Sequence, residues 1–134
     1  MRAIGPAAIA ALALLTSAVA GAATLESFRM PSRNVGCLYS TAPAGLRCDI
    51  LSGLKPEPRR KCELDWTGFY LSPNGRAAPN CAGDTVYDRR APVLAYGRTW
   101  HRGAFTCVSK ATGLRCRNRA GHGFVLARKR SYSF

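Results

Sequence analysis

Glycine and proline punctuate this chain so often that apolar residues have little room to recur at helical spacing. Beyond residue 20 the uninterrupted runs cover residues 22–30, 46–52, 59–67, 84–91, 104–112 and 124–134. A stable amphipathic helix wants about ten or more such residues. Only the last run is that long, and Phe124, Leu126, Tyr132 and Phe134 alternate along it. Short runs bounded by turn formers predict strands. They are expected at 25–30, 36–40, 46–51, 64–71, 93–96, 104–109, 114–118, 124–127 and 131–134. Pro56-Glu57-Pro58 and Ser72-Pro73-Asn74-Gly75 read as loops or tight turns.

The first twenty residues follow different rules. Met1-Arg2 is a short basic start, residues 4–19 are almost wholly apolar, and Ala18-Val19-Ala20 has small residues at both key positions of an A-x-A site. That is the pattern of a secretory signal peptide, cleaved after Ala20 or, in the Ala20-Gly21-Ala22 register, after Ala22. The apolar run is short for a membrane anchor and lacks a basic stop-transfer flank. The expected organisation is a signal peptide over 1–20 and one domain over 21–134. The product is then exported, periplasmic or secreted, with no transmembrane span after signal removal.

Two phrases resemble each other. Cys37-Leu38-Tyr39-Ser40 leads through a turn to Gly45-Leu46-Arg47-Cys48, and Cys107-Val108-Ser109 leads through a turn to Gly113-Leu114-Arg115-Cys116. Both read as hairpins with leucine inward and arginine outward, since side chains alternate along a strand. Duplication and a recurring local solution both account for the likeness. Pairing Cys37 with Cys48 sets Tyr39 opposite Leu46, with a loop of about four residues at 41–44. Pairing Cys107 with Cys116 sets Ser109 opposite Leu114, with a tight turn at Ala111-Thr112. Both are feasible cross-strand bridges, and Cys62 then pairs with Cys81. Each such bridge contributes about 3 kcal/mol in the chain-entropy model. No Cys-x-x-Cys occurs, and neither histidine lies near a cysteine pair in a zinc pattern. No metal site and no cofactor is expected.

The 134 residues hold 20 Lys+Arg against 7 Asp+Glu, a formal charge of +13. Removing Arg2 with the signal leaves +12. Basic residues cluster at Arg59-Arg60-Lys61, Arg89-Arg90, Arg98 with Arg102, and Arg128-Lys129-Arg130, and Arg115, Arg117 and Arg119 alternate. Alternation puts those three on one strand face, a candidate anion-binding footprint for nucleic acid, acidic lipid or acidic polysaccharide. A solvated surface that keeps a high-pI protein soluble is the plainer reading of the same charges.

Catalytic patterns are sparse. His101 and His122 are the possible acid and base of a ribonuclease, with a cation for the phosphorane. Backbone hydrogen bonding is the simpler use of both. Glu63 and Asp65 alternate beside Trp66, an aromatic suited to sugar stacking, as glycan cleavage would need. Asp49 and Asp84 are expected to form turn hydrogen bonds or to pair with arginine. Tyr96, Trp100, Phe105 and Phe124 are expected in the core.

Several phrases together resemble a known family. They are Phe28 to Cys37 (F-x-x-P-S-x-N-V-G-C), Arg47-Cys48-Asp49-Ile50, Cys62 to Trp66 (C-x-L-D-W), Cys81-Ala82-Gly83-Asp84-Thr85, Leu94-Ala95-Tyr96-Gly97, the hairpin from Cys107 to Cys116, and Gly121-His122-Gly123-Phe124 followed by Tyr132 and Phe134. The chain is similar to a family of small exported six-cysteine bacterial proteins catalogued as a domain of unknown function. The likeness spans nearly all of residues 21–134 and includes all six cysteines. It implies no activity. The heavy arginine load is a departure from that pattern.

The expectation is an all-β domain, a small disulfide-braced barrel or sandwich of short hairpins. Its function is expected to be non-enzymatic, binding an anionic envelope or extracellular ligand. The alternative is a small secreted hydrolase, ribonuclease-like or glycan-cleaving, acting on an anionic polymer.

Overall fold

A computed structural model describes residues 1–17 and 21–134. Residues 1–17 lie exposed without strand or helix. The cleavage motif Ala18-Val19-Ala20 lies outside the described residues.

Ten strands follow: β1 (Leu25–Arg29), β2 (Val35–Thr41), β3 (Ala44–Ile50), β4 (Asp65–Leu71), β5 (Ala78–Ala82), β6 (Thr99–Arg102), β7 (Phe105–Lys110), β8 (Gly113–Arg117), β9 (Gly123–Leu126) and β10 (Tyr132–Ser133). They form two antiparallel sheets, ordered β1-β2-β3-β4-β5 and β10-β9-β8-β7-β6. Neither sheet closes on itself, so the fold is a sandwich rather than a barrel.

The sequence leads to these elements through alternation. In β3 Leu46 and Cys48 are buried while Arg47 is directed outward. In β8 Leu114 and Cys116 are buried while Arg115 and Arg117 are exposed. Cys37 stands directly opposite Cys48, and Cys107 opposite Cys116. Their Cα atoms are 4.1 and 4.0 Å apart, and both pairs are disulfide-bonded. Cys62 is bonded to Cys81. Three disulfides fit an extracellular or otherwise oxidising compartment.

Several local expectations need correction. Residues 93–96 form no strand. Val93 makes only an isolated parallel bridge to Arg29, and Pro92, which has no N–H, supplies a carbonyl to the Arg29 N–H. Strands β5 and β6 were not expected. β5 contains Pro79 and tolerates it at a sheet edge, and β6 buries one side chain, Trp100. The β2–β3 connection is the two-residue turn Ala42-Pro43, since Thr41 still pairs with Ala44. Among the aromatics expected in the core, Trp100, Phe105 and Phe124 are buried, but Tyr96 is exposed.

The two sheets repeat one design. Each is a five-stranded meander with a disulfide between its second and third strands. The registers align Phe28 with Trp100 opposite the first cysteine of each bridge, and Phe69 with Phe124 opposite the second. They also align Gly68 with Gly123 and Leu71 with Leu126. A Cβ at either glycine would strike the carbonyl oxygen of the cysteine, Cys48 or Cys116, next to its partner in the neighbouring strand. The likeness of the two hairpin phrases therefore extends across whole sheets.

Equivalent residues also meet. Phe28 packs on Trp100 at 4.8 Å between ring centroids, and Phe69 stacks on Phe124 at 5.4 Å. Contact between equivalent positions is the mark of a two-fold-related, self-complementary interface, here inside one chain. Two polar clamps close its rim. Glu26 accepts from Arg102 Nε at 2.9 Å and from Trp100 Nε1 at 3.3 Å. Buried Asn118 donates from Nδ2 to the Ser72 and Gly75 carbonyls.

Candidate anion-binding face

The outer faces of the two equivalent sheets differ in what their arginines touch. On the first sheet, Arg47 donates from Nε and Nη2 to the two carboxylate oxygens of Asp49, at 3.0 and 2.9 Å. Its Nη1 reaches Asp84 Oδ1 at 3.1 Å, and its Nη2 the Asp84 carbonyl at 3.0 Å. Asp49 also accepts from the Thr85 hydroxyl and the Val86 N–H. Burial works against the charge on Arg47, yet the hydrogen bonds and charges of Asp49 and Asp84 outweigh it and raise its pKa. The expected pairing of Asp49 and Asp84 with arginine is realised at Arg47.

On the second sheet the register places Arg115 where Arg47 stands and Arg117 where Asp49 stands. A cation thus replaces the carboxylate. Arg115 lays its guanidinium over the Phe134 ring, 3.9 Å from the centroid. Among the described residues, neither Arg115 nor Arg117 has a carboxylate within ion-pair distance. Lys110 lies on the neighbouring strand with its side chain on the same outer face.

Arg119 does not continue the row. β8 ends at Arg117, and Arg119 Nε donates to Asn74 Oδ1 at 2.7 Å, tying the turn to the loop between β4 and β5. The alternating trio is therefore two arginines on a strand face and a third used between sheets.

A larger signal in the sequence is the partition of charge. Residues 89–134 contain eleven Lys or Arg and no Asp or Glu. Residues 21–88 contain eight Lys or Arg and all seven acids. The second sheet belongs wholly to the first of these segments. Charge counted by segment, rather than by cluster, is the property of the sequence that marks the basic sheet.

The remaining candidates are dispersed. His101 Nδ1 contacts Thr106 Oγ1 at 2.8 Å. The N–H of His122 donates to Asn118 Oδ1 and its carbonyl accepts from the Asn118 N–H. Between the two histidine positions lie three strand spacings, through Thr106, Arg117 and Gly123, or about 14 Å. Glu63 precedes β4 and pairs with Lys61, both exposed. Asp65 and Trp66 instead line a cleft of about 380 Å³ with Asp49, Glu57 and Asp84. Among the described residues, no three His, Cys, Asp or Glu side chains converge to hold a metal ion. No described helix is long and apolar enough to cross a membrane.

Residues 7–134 match a family of unknown function, DUF6636. Neither a curated protein nor a solved structure matches the chain. With the match spanning nearly the whole sequence, the chain belongs to the family of unknown function DUF6636.

Proposed function

We propose that this is an exported, non-enzymatic binding protein whose second sheet engages an anionic ligand at the envelope or outside the cell. One observation carries the reading. Arg115 and Arg117 stand side by side on an outer strand face, where the equivalent Arg47 is neutralised by carboxylates and they are not. Two like charges at such spacing repel unless an anion or open water relieves them. Arginine also suits bidentate contact with carboxylate or phosphate. The signal pattern over 1–20 and the disulfides support export.

The test is titration with heparin, RNA and anionic vesicles at two salt concentrations. Binding should weaken steeply with salt through counterion release. The double variant Arg115→Gln/Arg117→Gln should lower the magnitude of the log–log salt slope by about two. Arg119→Gln, altered at a residue already tied to Asn74, should leave it nearly unchanged. No binding at low salt, or binding indifferent to salt and to the double variant, would reduce the arginine pair to solvated surface. Cleavage of heparin or RNA that disappears in His101→Ala and His122→Ala would instead establish the hydrolase.

A further inference from the structure

The two equivalent sheets carry equivalent grooves on their outer faces, and a segment of the chain itself walls one of them. The first groove, about 320 Å³, is lined by Leu38, Ser40, Gly45, Arg47 and Tyr70, and by Asp84 and Val86 from the segment that crosses it. The second, about 270 Å³, is lined at the corresponding positions by Val108, Lys110, Gly113, Arg115 and Val125, with Tyr132 at its side. Among the described residues no segment corresponding to 84–86 lines it, and the Phe134 ring lies beside it over Gly123 and against Arg115.

We propose that the second groove binds an extended acidic peptide segment of a partner protein, in the manner in which residues 84–86 lie across the first. The inference rests on the anion-binding reading above and names its partner class. Residues 84–86 show how the design takes a peptide. The Asp84 carboxylate and carbonyl both sit on Arg47, and Val86 is placed among the apolar lining two residues on. In the second groove Arg115 is the counterpart of Arg47. Its guanidinium is held against Phe134, and an incoming carboxylate has Lys110 close by.

The one polar inversion predicts sequence preference. Asp49 accepts hydrogen bonds from Thr85 and the Val86 N–H, whereas Arg117 in its place can only donate. A peptide there must therefore turn the counterpart of the Val86 N–H away from Arg117 and offer an acceptor side chain in the place of Thr85, for which a carboxylate serves best. The favoured ligand has two adjacent acids followed by a small branched apolar residue. The apolar floor of Val108 and Val125, with Tyr132 beside it, receives that third side chain.

The experiment uses the exported protein and synthetic heptapeptides with the sequence of residues 82–88. Three are compared: the native sequence, Thr85→Asp, and Asp84→Asn/Thr85→Asp. NMR titration should move the amide signals of Val108, Arg115 and Val125. The Thr85→Asp peptide should bind about fivefold more tightly than either of the others, the range expected of one exposed charge pair. Arg115→Gln in the protein should abolish the preference over the Asp84→Asn/Thr85→Asp peptide, and Arg117→Gln the preference over the native peptide, while the rest of the spectrum stays native. Equal affinity for the three peptides, or shifts confined to other surfaces, would overturn the proposal. Tighter binding of RNA or anionic vesicles than of an acidic peptide of equal charge would overturn it as well. If heparin still binds with its salt slope while the peptides fail, only this inference falls. If heparin also fails, the anion-binding reading falls with it.

Discussion

Asp49→Asn isolates the charge at the centre of the first sheet's outer network with almost no change in shape. In the native chain Asp49 is 1% exposed and accepts four hydrogen bonds, two from Arg47, one from the Thr85 hydroxyl and one from the Val86 N–H. The variant keeps one acceptor oxygen and sets an NH2 group against donors. Arg47, with 18% of its side chain exposed, is left facing only Asp84, whose side chain is 75% exposed. Breaking a buried pair by removing one partner costs about 3–5 kcal/mol, and the exposure of Arg47 puts this case near about 3 kcal/mol. For a domain of this size that lowers the melting temperature by about 12 °C. Asp84→Asn is the matched control. It removes the solvent-exposed partner of the same arginine and should cost less than about 1 kcal/mol. A third variant, Arg47→Met/Asp49→Leu, removes both charges and should recover part of the loss, because neither charge is then left unpaired while the Thr85 hydroxyl and the Val86 N–H lose their acceptor. Urea unfolding of these variants and of the singles Arg47→Met and Asp49→Leu, with disulfides intact, measures all of this. An Asp49→Asn protein within about 1 kcal/mol of native, or a double variant whose loss equals the sum of its parts, would refute the claim that the pair is a coupled, desolvated unit.

Three other outcomes follow from the geometry. Gly123→Ala and Gly68→Ala each drive a Cβ into a strand carbonyl that cannot move without breaking the ladder; each should cost more than about 3 kcal/mol or prevent accumulation of folded protein, read by unfolding and by yield. Ser109 Oγ is the one buried side-chain oxygen among the described residues without a partner. Ser109→Ala should therefore stabilise the domain by up to about 1 kcal/mol, and a loss of stability in urea would show a partner at that oxygen. Intact-mass analysis of exported protein should give an N-terminus at Gly21 or Ala23, and retention of residues 1–20 would revive a membrane anchor.

What the sequence determined by itself is what local periodicity can carry. Period-two alternation around Leu46 and Leu114, with turn formers between, was enough for an all-β fold and for hairpin registers that set Tyr39 opposite Leu46 and Ser109 opposite Leu114. The spacing of four cysteines then joined each hairpin to itself, since a bridge across a short hairpin depends on few intervening residues. The outward arginines were legible for the same reason, and the charge partition at residue 89 is legible by counting. Tertiary structure decided the rest. Strand β5 is stabilised by pairing beside β4 in spite of Pro79, and β6 by a single buried Trp100, so neither stands out in its own sequence. Whether an outward arginine is free or neutralised depends on residues far along the chain: Arg47 meets Asp84 from 37 positions away, and Arg119 is drawn to Asn74 from 45. Those partners are chosen by how two equivalent sheets pack and where the connecting segments cross them. Alternation tells which way a side chain points, but what it meets there is set by packing over distances that no local period encodes.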